Sequence, residues 1–301
     1  MKILVTGITG QVGGALVARP APEGAEWLPA GRDRLDLSAP GGIASALDTL
    51  APDAVVNPAA YTAVDAAEGD SETAFRVNRD GPAALAAACA ARGIPLLHVS
   101  TDYVFDGTGT RPYRPDDPVA PLGVYGASKE AGERAIRDAH GDHVILRTAW
   151  VYAAEGKNFV NTMLRVGAER DELRVVADQR GTPTPAGDIA DAIVTILAAR
   201  LAGTAVRGTF HYTAAGETTW HGLAEAVFRR AARHWGRRPV VHAITTAEYP
   251  TPTARPAYSV LDNTALDAAL AGFAPVPRRS WEAALGAVLD ARLGPLTETA
   301  P

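Results

Sequence analysis

The stretch KILVTGITGQVGG, residues 2–14, decides the fold class of this chain. An apolar run ends at a glycine and a helix-like segment follows, so that Gly7, Gly10 and Gly13 form the spacing G-x-x-G-x-x-G between a strand and a helix. Glycines at this spacing permit a tight turn, let a phosphate approach the backbone and let the helix pack closely on the strand. The unpaired N–H groups at the start of the helix then face a pyrophosphate. We predict a dinucleotide-binding loop that includes Gln11 and Val12; the alternative is a tight turn with a structural role only.

Outward from this loop, short apolar strands alternate with helices through the first half of the chain. The strand-like runs are residues 2–6, 26–30, 53–57, 95–100 and 143–147, and the helix-like runs are residues 11–19, 42–50, 72–92 and 125–139, with Gly81-Pro82 expected to break or restart the third helix. Apolar strands without alternation are typical of a parallel sheet that helices cover on both faces. The order predicts an α/β protein with a Rossmann doubly wound parallel sheet.

Beyond residue 150 the pattern is less regular. Helices are predicted at residues 158–170, 188–202, 220–235 and 280–292, strands at residues 173–177 and 208–212, and a proline-rich loop at residues 249–259. We therefore expect residues 1–150 to form an NAD(P)-binding Rossmann core. We expect residues 151–301 to form a mixed region, with late Rossmann elements and a smaller C-terminal substrate-binding lobe.

Composition excludes several classes of function. The chain has 301 residues, 47% of them apolar, which suits one large globular domain with a smaller appendage. A net charge of −5 argues against nucleic-acid binding through a basic surface. Cys89 is the only cysteine, and the seven histidines lack the H-E-x-x-H spacing, so no disulfide and no metal site is expected. No segment has the pattern of a signal peptide or the length of a membrane span, and a cytoplasmic location is expected.

The end of the second strand bears on the choice of cofactor. An acidic residue there would bind the adenosine ribose, but the first polar residue is Arg32, in the segment GRDRLDL. Arg32 and Arg34 are suited to pair with a 2′-phosphate, which favours NADPH, with NADH possible because Asp33 is an alternative ribose ligand. Asp36 and Leu37 follow and are expected beside the adenine.

A second set of residues suggests the chemistry. Thr101 and Asp102 end the fourth strand, in STDYVF, and ligands of open α/β sheets bind beyond the carboxyl ends of the strands. Tyr125 and Lys129 are four residues apart on a predicted helix and so share one face. They fit a proton donor with a cation that tunes it, or else an ordinary surface pair. Thr101 has the alternative of capping a turn.

Together these motifs resemble the extended short-chain dehydrogenase/reductase superfamily. Longer stretches are similar to the dTDP-4-dehydrorhamnose reductase family, from about residue 1 to residue 289. The stretches are NPAAYTAVDAAE (57–68), STDYVFDGTGTRPYRPDDPVAPLGVYGASKEAGE (100–133), RTAWVY (147–152), KNFVNTMLR (157–165), DQRGTPTPAGDIA (178–190) and TTAEYPTPTARPAYSVLD (245–262). The last of these resembles the substrate lobe of that family.

The resemblance implies a reaction and a set of roles. Family members reduce the C4 ketone of dTDP-4-dehydro-β-L-rhamnose with NAD(P)H. Tyr125 would then be the general acid, with a pKa lowered by Lys129 and by the nicotinamide, and Thr101 would bind the carbonyl oxygen. Lys129 would also bind the nicotinamide ribose. The remaining assignments place the cofactor at Gly10, Gln11, Val12, Asp36, Leu37, Ala60, Tyr61 and Thr62, and the sugar nucleotide at Asp102 and Trp150.

Trp150 and Arg255 each have a second interpretation besides substrate binding. Trp150 is expected to stack on the apolar face of the sugar, and the alternative is a core tryptophan. Arg255 lies in a proline-stiffened loop of the substrate lobe and is expected near the pyrophosphate, since an arginine fork suits a diphosphate. The alternative for Arg255 is a solvated loop arginine.

One departure from the family bears on assembly. Some members dimerise through Mg²⁺ held by glutamates, and Ala15 stands at one of those positions, so no magnesium site is expected and the chain is a monomer or a homodimer.

Rival functions remain open from the sequence. Dehydration of the sugar is disfavoured because Tyr103 stands where such enzymes carry glutamate. An epimerase, a non-catalytic nucleotide-binding regulatory subunit and a 4-ketoreductase for another dTDP-deoxysugar of an antibiotic pathway are the alternatives.

Overall fold

The computed structural model describes residues 1–294, and residues 295–301 of the predicted second region lie outside the described residues. Within that range the strands are, in chain order, β1 (Lys2–Val5), β2 (Glu26–Pro29), β3 (Ala54–Asn57), β4 (Leu96–Thr101), β5 (His143–Thr148), β6 (Val151–Tyr152), β7 (Glu172–Val176), β8 (Arg180–Gly181), β9 (Thr184–Pro185), β10 (Gly208–His211), β11 (Thr218–Thr219) and β12 (Val240–Ile244). The α-helices are α1 (Gln11–Val17), α2 (Ile43–Leu50), α3 (Val64–Ala67), α4 (Ser71–Phe75), α5 (Gly81–Arg92), α6 (Val124–Ala139), α7 (Phe159–Glu169), α8 (Ala186–Leu201), α9 (Trp220–Trp235), α10 (Thr264–Leu270) and α11 (Trp281–Leu293).

A parallel sheet of six strands forms the centre of the molecule. Its order is β10-β5-β4-β3-β1-β2, and each neighbouring pair is parallel. The chain runs from β1 outward to β2, then crosses to the other side of β1 for β3, β4 and β5. This change of direction is the switch point at which doubly wound sheets bind ligands. The prediction of an α/β doubly wound sheet is confirmed, and the expected strand at residues 208–212 is its sixth strand.

Alternate residues of each strand enter two separate cores, because successive strand side chains point to opposite faces. Ile3 and Val5 face α1 and α8, while Leu4, between them, faces α2, α5 and α6. All three side chains are fully buried. Helices therefore cover both faces, which explains why the strands lack polar alternation.

A third core belongs to the later part of the chain. It is built by α7, α9 and α11, with Phe228 and Leu285 among its buried residues. Beside it, β7 pairs in parallel with β12 in a two-stranded sheet of its own. By contrast, α8, α10 and β10 contribute to the core of the large sheet. The division into a core at residues 1–150 and a mixed region with a substrate-binding lobe at residues 151–301 stays a prediction.

The predicted helix over residues 72–92 is not uniform. Arg76–Asp80 forms a π-helical turn between α4 and α5, and Pro82 follows in the first turn of α5. A proline costs least in the first turn of a helix, where its missing N–H has no partner to lose. The helical path therefore restarts at Gly81-Pro82 as predicted, but through a wider turn and not through a break.

Within residues 1–294, no helix combines the length and the apolar character needed to cross a membrane.

Candidate functional site

The glycine loop connects β1 to α1 at the carboxyl edge of the sheet. Gly7 has a φ of +59°, and a Cβ at this position would lie 2.8 Å from the Cα of Ala59, just after β3. A Cβ at Gly13 would lie 2.2 Å from the carbonyl oxygen of Gly7. Gly10 is the N-cap of α1 and has no side chain, so no capping side chain uses the first N–H groups of that helix. Such a cradle has the free backbone donors that a pyrophosphate needs, and the assignment of this loop to a cofactor stays a prediction.

The residues expected at the adenosine end lie just after β2. Arg32 is exposed, whereas Arg34 donates to the carbonyl oxygen of Pro29 at 2.8 Å. The N–H and hydroxyl of Ser38 donate to Asp36, and these bonds lower the pKa of its carboxyl. Leu37 is buried in the sheet core. Of the two candidate arginines, Arg32 alone keeps a guanidinium with no hydrogen bond among the described residues.

The segment from Ala60 to Thr62 is held by Asn78. The Asn78 amide oxygen accepts from the Tyr61 N–H at 2.8 Å, and its nitrogen donates to the Tyr61 carbonyl at 3.0 Å and to the Ser128 hydroxyl at 3.0 Å. Ser128 lies on α6, between Tyr125 and Lys129. The π-helical turn thus joins the predicted cofactor segment to the predicted catalytic helix.

Tyr125 and Lys129 lie inside the molecule. Tyr125 is 8% exposed and Lys129 is 1% exposed, so the surface-pair alternative is wrong. Burial raises the pKa of Tyr125, and the neighbouring Thr101 hydroxyl opposes this effect. Burial lowers the pKa of Lys129 to about 8, with Glu133 acting in the opposite direction. The Lys129 ammonium contacts the Val99 carbonyl at 2.8 Å and His98 Nε2 at 2.9 Å.

The fourth strand ends in a turn that places Thr101 and Asp102 beside Tyr125. The Thr101 hydroxyl accepts from the Tyr103 N–H at 3.2 Å and donates to Asp102 Oδ1 at 3.0 Å. It therefore caps the short 3₁₀ helix Asp102–Val104 and also lies close to the Tyr125 hydroxyl. Burial raises the pKa of Asp102 to about 6, although hydrogen bonds from Ser259 and Thr101 oppose that shift.

Arg255 approaches this site from the later part of the chain. Its guanidinium donates to the Tyr103 hydroxyl at 3.0 Å and to Asp65 Oδ2 at 2.7 Å. Tyr103 in turn packs edge-on against Tyr125, with ring centroids 5.6 Å apart. Arg255 is therefore not a solvated loop residue, and two of its nitrogens already have partners.

Trp150 lies at the junction of the large sheet and the small lobe. Its φ is +48°, a left-handed conformation that is costly for a bulky residue. One face of its indole stacks on Trp220, with ring centroids 3.5 Å apart, and the Gly181 backbone also lies against the ring. A sugar cannot use the face that Trp220 covers, which limits Trp150 to contacts through its edge or the remaining surface.

A model of the RmlD substrate binding domain matches residues 1–293 of the chain. The dTDP-4-dehydrorhamnose reductase of Sinorhizobium fredii is 48% identical over 87% of this chain and 88% of its own length. The chain belongs to the dTDP-4-dehydrorhamnose reductase family.

Two further relatives bear on the details of function. The crystal structure of the dTDP-4-dehydrorhamnose reductase of Bacillus anthracis in complex with NADP has a TM-score of 0.86 and 34% identity, and covers 96% of this chain and 99% of that one. A probable dTDP-4,6-dihydroxy-2-methyloxan-3-one 4-ketoreductase of Streptomyces antibioticus is 42% identical over 95% of this chain and 93% of its own length. The dTDP-4-dehydrorhamnose reductase family consists of NAD(P)H-dependent oxidoreductases.

Several residues of the site were not found from the sequence. His98 interrupts the apolar strand PLLHVS, and that interruption was the available signal. Tyr103 is adjacent to Thr101-Asp102, but its contact with Arg255 joins residues far apart in the chain. Nothing in the sequence pairs Trp220 with Trp150. In the part of the chain that the structure describes, no group of three or more His, Cys, Asp or Glu side chains is placed to hold a metal ion.

Proposed function

We propose that this protein reduces the C4 ketone of a dTDP-4-dehydro-6-deoxyhexose with NADPH, and that the substrate is dTDP-4-dehydro-β-L-rhamnose. One observation carries the proposal. The buried pair Tyr125 and Lys129 lies on one face of α6, beside Thr101 at the end of β4. In the sheet, only β3 separates β4 from β1, the strand that leads into the glycine loop. The chain is 48% identical to a dTDP-4-dehydrorhamnose reductase. Reduction of a ketone needs a hydride and a proton, and the chain supplies the proton.

Tyr125 is the proposed general acid. When bound, the reduced nicotinamide supplies the hydride to C4. The Tyr125 hydroxyl donates its proton to the carbonyl oxygen as negative charge develops there. The Thr101 hydroxyl has one hydrogen, which it gives to Asp102 in the chain by itself, and with substrate bound it donates that hydrogen to the same carbonyl oxygen instead. These contacts accelerate the reaction because they are stronger in the transition state than in the ground state.

Lys129 is the proposed cation of the site. In the chain by itself, burial raises the pKa of Tyr125, and the Lys129 ammonium contacts Val99 and His98 instead of the tyrosine. Those two acceptors use two of its three hydrogens, and the third is proposed to bind the nicotinamide ribose. A lowered pKa of Tyr125, which the family resemblance implies, is therefore proposed to require the bound cofactor.

NADPH is the proposed cofactor because Arg32 is exposed at the position that reads the adenosine ribose. A guanidinium bound to a 2′-phosphate contributes about 1.5–3 kcal/mol. Arg32→Ala should weaken NADPH binding by about tenfold or more and leave NADH binding unchanged, as measured by nicotinamide fluorescence titration. Arg34→Ala is the matched control, because that side chain is bound to Pro29. Equal loss of both cofactors in Arg32→Ala would remove Arg32 from the phosphate site.

The sugar nucleotide is proposed to bind between residues 1–150 and the smaller lobe. Tyr125 packs against Tyr103, whose hydroxyl accepts from Arg255 of the later part of the chain. Trp150, at the end of the first region, stacks on Trp220 of the smaller lobe. Arg255 would meet the diphosphate with the part of its guanidinium that Asp65 and Tyr103 do not use.

The deciding experiment measures loss of reduced-nicotinamide absorbance with a panel of dTDP-4-keto-6-deoxy sugars. We expect fastest turnover with dTDP-4-dehydro-β-L-rhamnose. Faster turnover of a sugar without 3,5-epimerisation would favour a second candidate, a 4-ketoreductase of another deoxysugar, which the 42% identity to the Streptomyces antibioticus protein supports. Nucleotide binding without turnover of any sugar would contradict both, and would favour a regulatory subunit.

A further inference from the structure

A row of buried polar side chains runs beneath the proposed active site. Thr6 Oγ1 lies 2.5 Å from Asn57 Oδ1, Asn57 Nδ2 lies 3.0 Å from His98 Nδ1, and His98 Nε2 lies 2.9 Å from Lys129 Nζ. The row crosses the sheet from the end of β1 through β3 and β4 to α6. Each of the four residues is at most 1% exposed. A buried polar chain of this length is costly unless every member has a partner, and nothing in the proposed proton transfer yet uses it.

The hydrogens in this row are linked to the charge of Lys129. Burial keeps the pKa of His98 well below its usual range, and the charge of Lys129 lowers it further, so His98 is a neutral imidazole with one donor and one acceptor nitrogen. An ammonium can only donate hydrogen bonds. A charged Lys129 therefore requires Nε2 as the acceptor, and the imidazole proton must then lie on Nδ1.

Asn57 can serve either state of that imidazole. As oriented here, its Nδ2 faces His98 Nδ1, which suits an uncharged Lys129 that accepts from Nε2. A half-turn of the amide exchanges its oxygen and nitrogen with little change in shape, and the oxygen then accepts from Nδ1–H while the nitrogen donates to Thr6. The row therefore has two complete hydrogen-bond patterns, one for each charge state of Lys129.

We propose that His98 is a positioning residue for the reaction, whose Nε2 accepts a hydrogen bond from the Lys129 ammonium and directs that cation toward the cofactor, with Asn57 fixing the required tautomer. The inference rests on the proposed reductase function. Lys129 acts on the proton donor only if it is charged and correctly aimed, and His98 is the side chain that contacts its nitrogen.

Other charged groups near Lys129 are already paired. Glu133, one turn later on α6, is bound by Arg147 of β5 through both carboxylate oxygens, at 2.9 and 2.6 Å, and by Arg137 at 3.1 Å. Among the described residues, Tyr125 lies one turn earlier on the same face of α6, and Asp102 influences Tyr125 and not the lysine. Removal of the His98 acceptor should therefore change the charge of Lys129 more directly than any other single substitution in β4.

His98→Phe removes the acceptor and keeps a flat ring. The ammonium loses a hydrogen bond that stabilises its charged form, so Lys129 should lose its proton at a lower pH. We expect the high-pH limb of the kcat/KM profile to move down by about one pH unit and kcat to fall by about tenfold. His98→Gln offers an amide oxygen in place of Nε2 and should restore most of both. An unchanged profile in a folded His98→Phe protein would overturn the proposal.

A measurement on the wild-type protein keeps the proposal independent of turnover and of folding of the variants. Nitrogen-15 NMR of His98 distinguishes the two tautomers directly. Below the pKa of Lys129 we expect the proton on Nδ1 and a bare Nε2, whereas a proton on Nε2 under those conditions would refute the inference. If the wild-type chain reduced no dTDP-4-keto sugar, the proposed function would fail while the tautomer result would still stand or fall separately.

Discussion

Tyr125 offers the sharpest test at the scale of a single residue. Tyr125→Phe removes one hydroxyl and keeps the ring that packs against Tyr103, so kcat should fall by about a hundredfold or more while NADPH affinity stays the same. Stopped-flow turnover and cofactor titration measure the two quantities. Tyr103→Phe removes a neighbouring hydroxyl, one that contacts Arg255, and should lower kcat far less than Tyr125→Phe does. Wild-type turnover in Tyr125→Phe would show that another group donates the proton.

Arg255 can contribute to turnover in two ways, by binding the diphosphate of the substrate or by holding Tyr103 in place. If it binds the diphosphate, Arg255→Ala should raise KM for the sugar nucleotide by about tenfold, with cofactor affinity intact. If it only supports Tyr103, kcat should fall and KM should not change. Arg174→Ala is the control, because Arg174 pairs with Glu248 at an exposed position. This variant should change neither KM nor kcat. Steady-state kinetics in both substrates separates the outcomes.

Among the helices, α6 lies close to its neighbours because it carries glycine at the contact. A Cβ at Gly132 would lie 2.0 Å from the carbonyl oxygen of Asn78 in the π-helical turn. Gly132→Ala should therefore push α6 outward and lower the free energy of unfolding by about 1–3 kcal/mol. Gly286 in α11 has open space at its Cβ position, so Gly286→Ala should raise it by about 0.5–1 kcal/mol. Denaturant unfolding of both variants checks the contrast.

The elements themselves differ in how far the sequence predicts them. The strands of the large sheet and the long helices were predicted within a few residues. A strand that is buried on both faces is a continuous apolar run in the sequence, and a helix with one buried face has apolar residues at a helical period. The two-residue strands β6, β8, β9 and β11 were not predicted, since segments so short carry no period, and the five-residue strand β12 was missed as well. Likewise His98, in an apolar strand, gave no sign of its partner, because Lys129 reaches it only through packing of α6 on β4. The site assignments that rest on family motifs stay predictions.

The stability of the fold depends on the buried ion pair Glu133–Arg147, which joins α6 to the sheet. Burial by itself would raise the pKa of Glu133, but the hydrogen bonds and charge of Arg147 outweigh it, so the pKa lies below its usual value. A lowered carboxyl pKa stabilises the fold above the unfolded pKa, near 4.3, and that stability is lost as the pH falls through the folded value. Glu133→Gln should lower the free energy of unfolding by about 3 kcal/mol at neutral pH, since it leaves the Arg147 charge buried and uncompensated.

Glu130→Gln provides the comparison for this variant. Glu130 lies on the same helix, three residues before Glu133, and pairs with Arg134, whose side chain is largely exposed. Its loss should cost less than about 1 kcal/mol. Denaturant unfolding across the acid range should also show a shallower loss of stability in Glu133→Gln than in the wild type. Parallel acid curves for those two proteins would contradict the assignment of acid sensitivity to Glu133.

In the π-helical turn Arg76–Asp80, the number of residues matters as well as their types. A π-helical turn holds one residue more than an α-helical turn, and one residue is worth about 100° of rotation about a helix axis. The extra residue sets the angular phase between α4 and α5 and so the direction in which Asn78 points toward Tyr61 and Ser128. A one-residue deletion here would leave a continuous helix and an intact core composition, yet it would rotate that amide away from both partners. Loops on the surface tolerate changes of length, but in this turn the count of residues is itself under constraint.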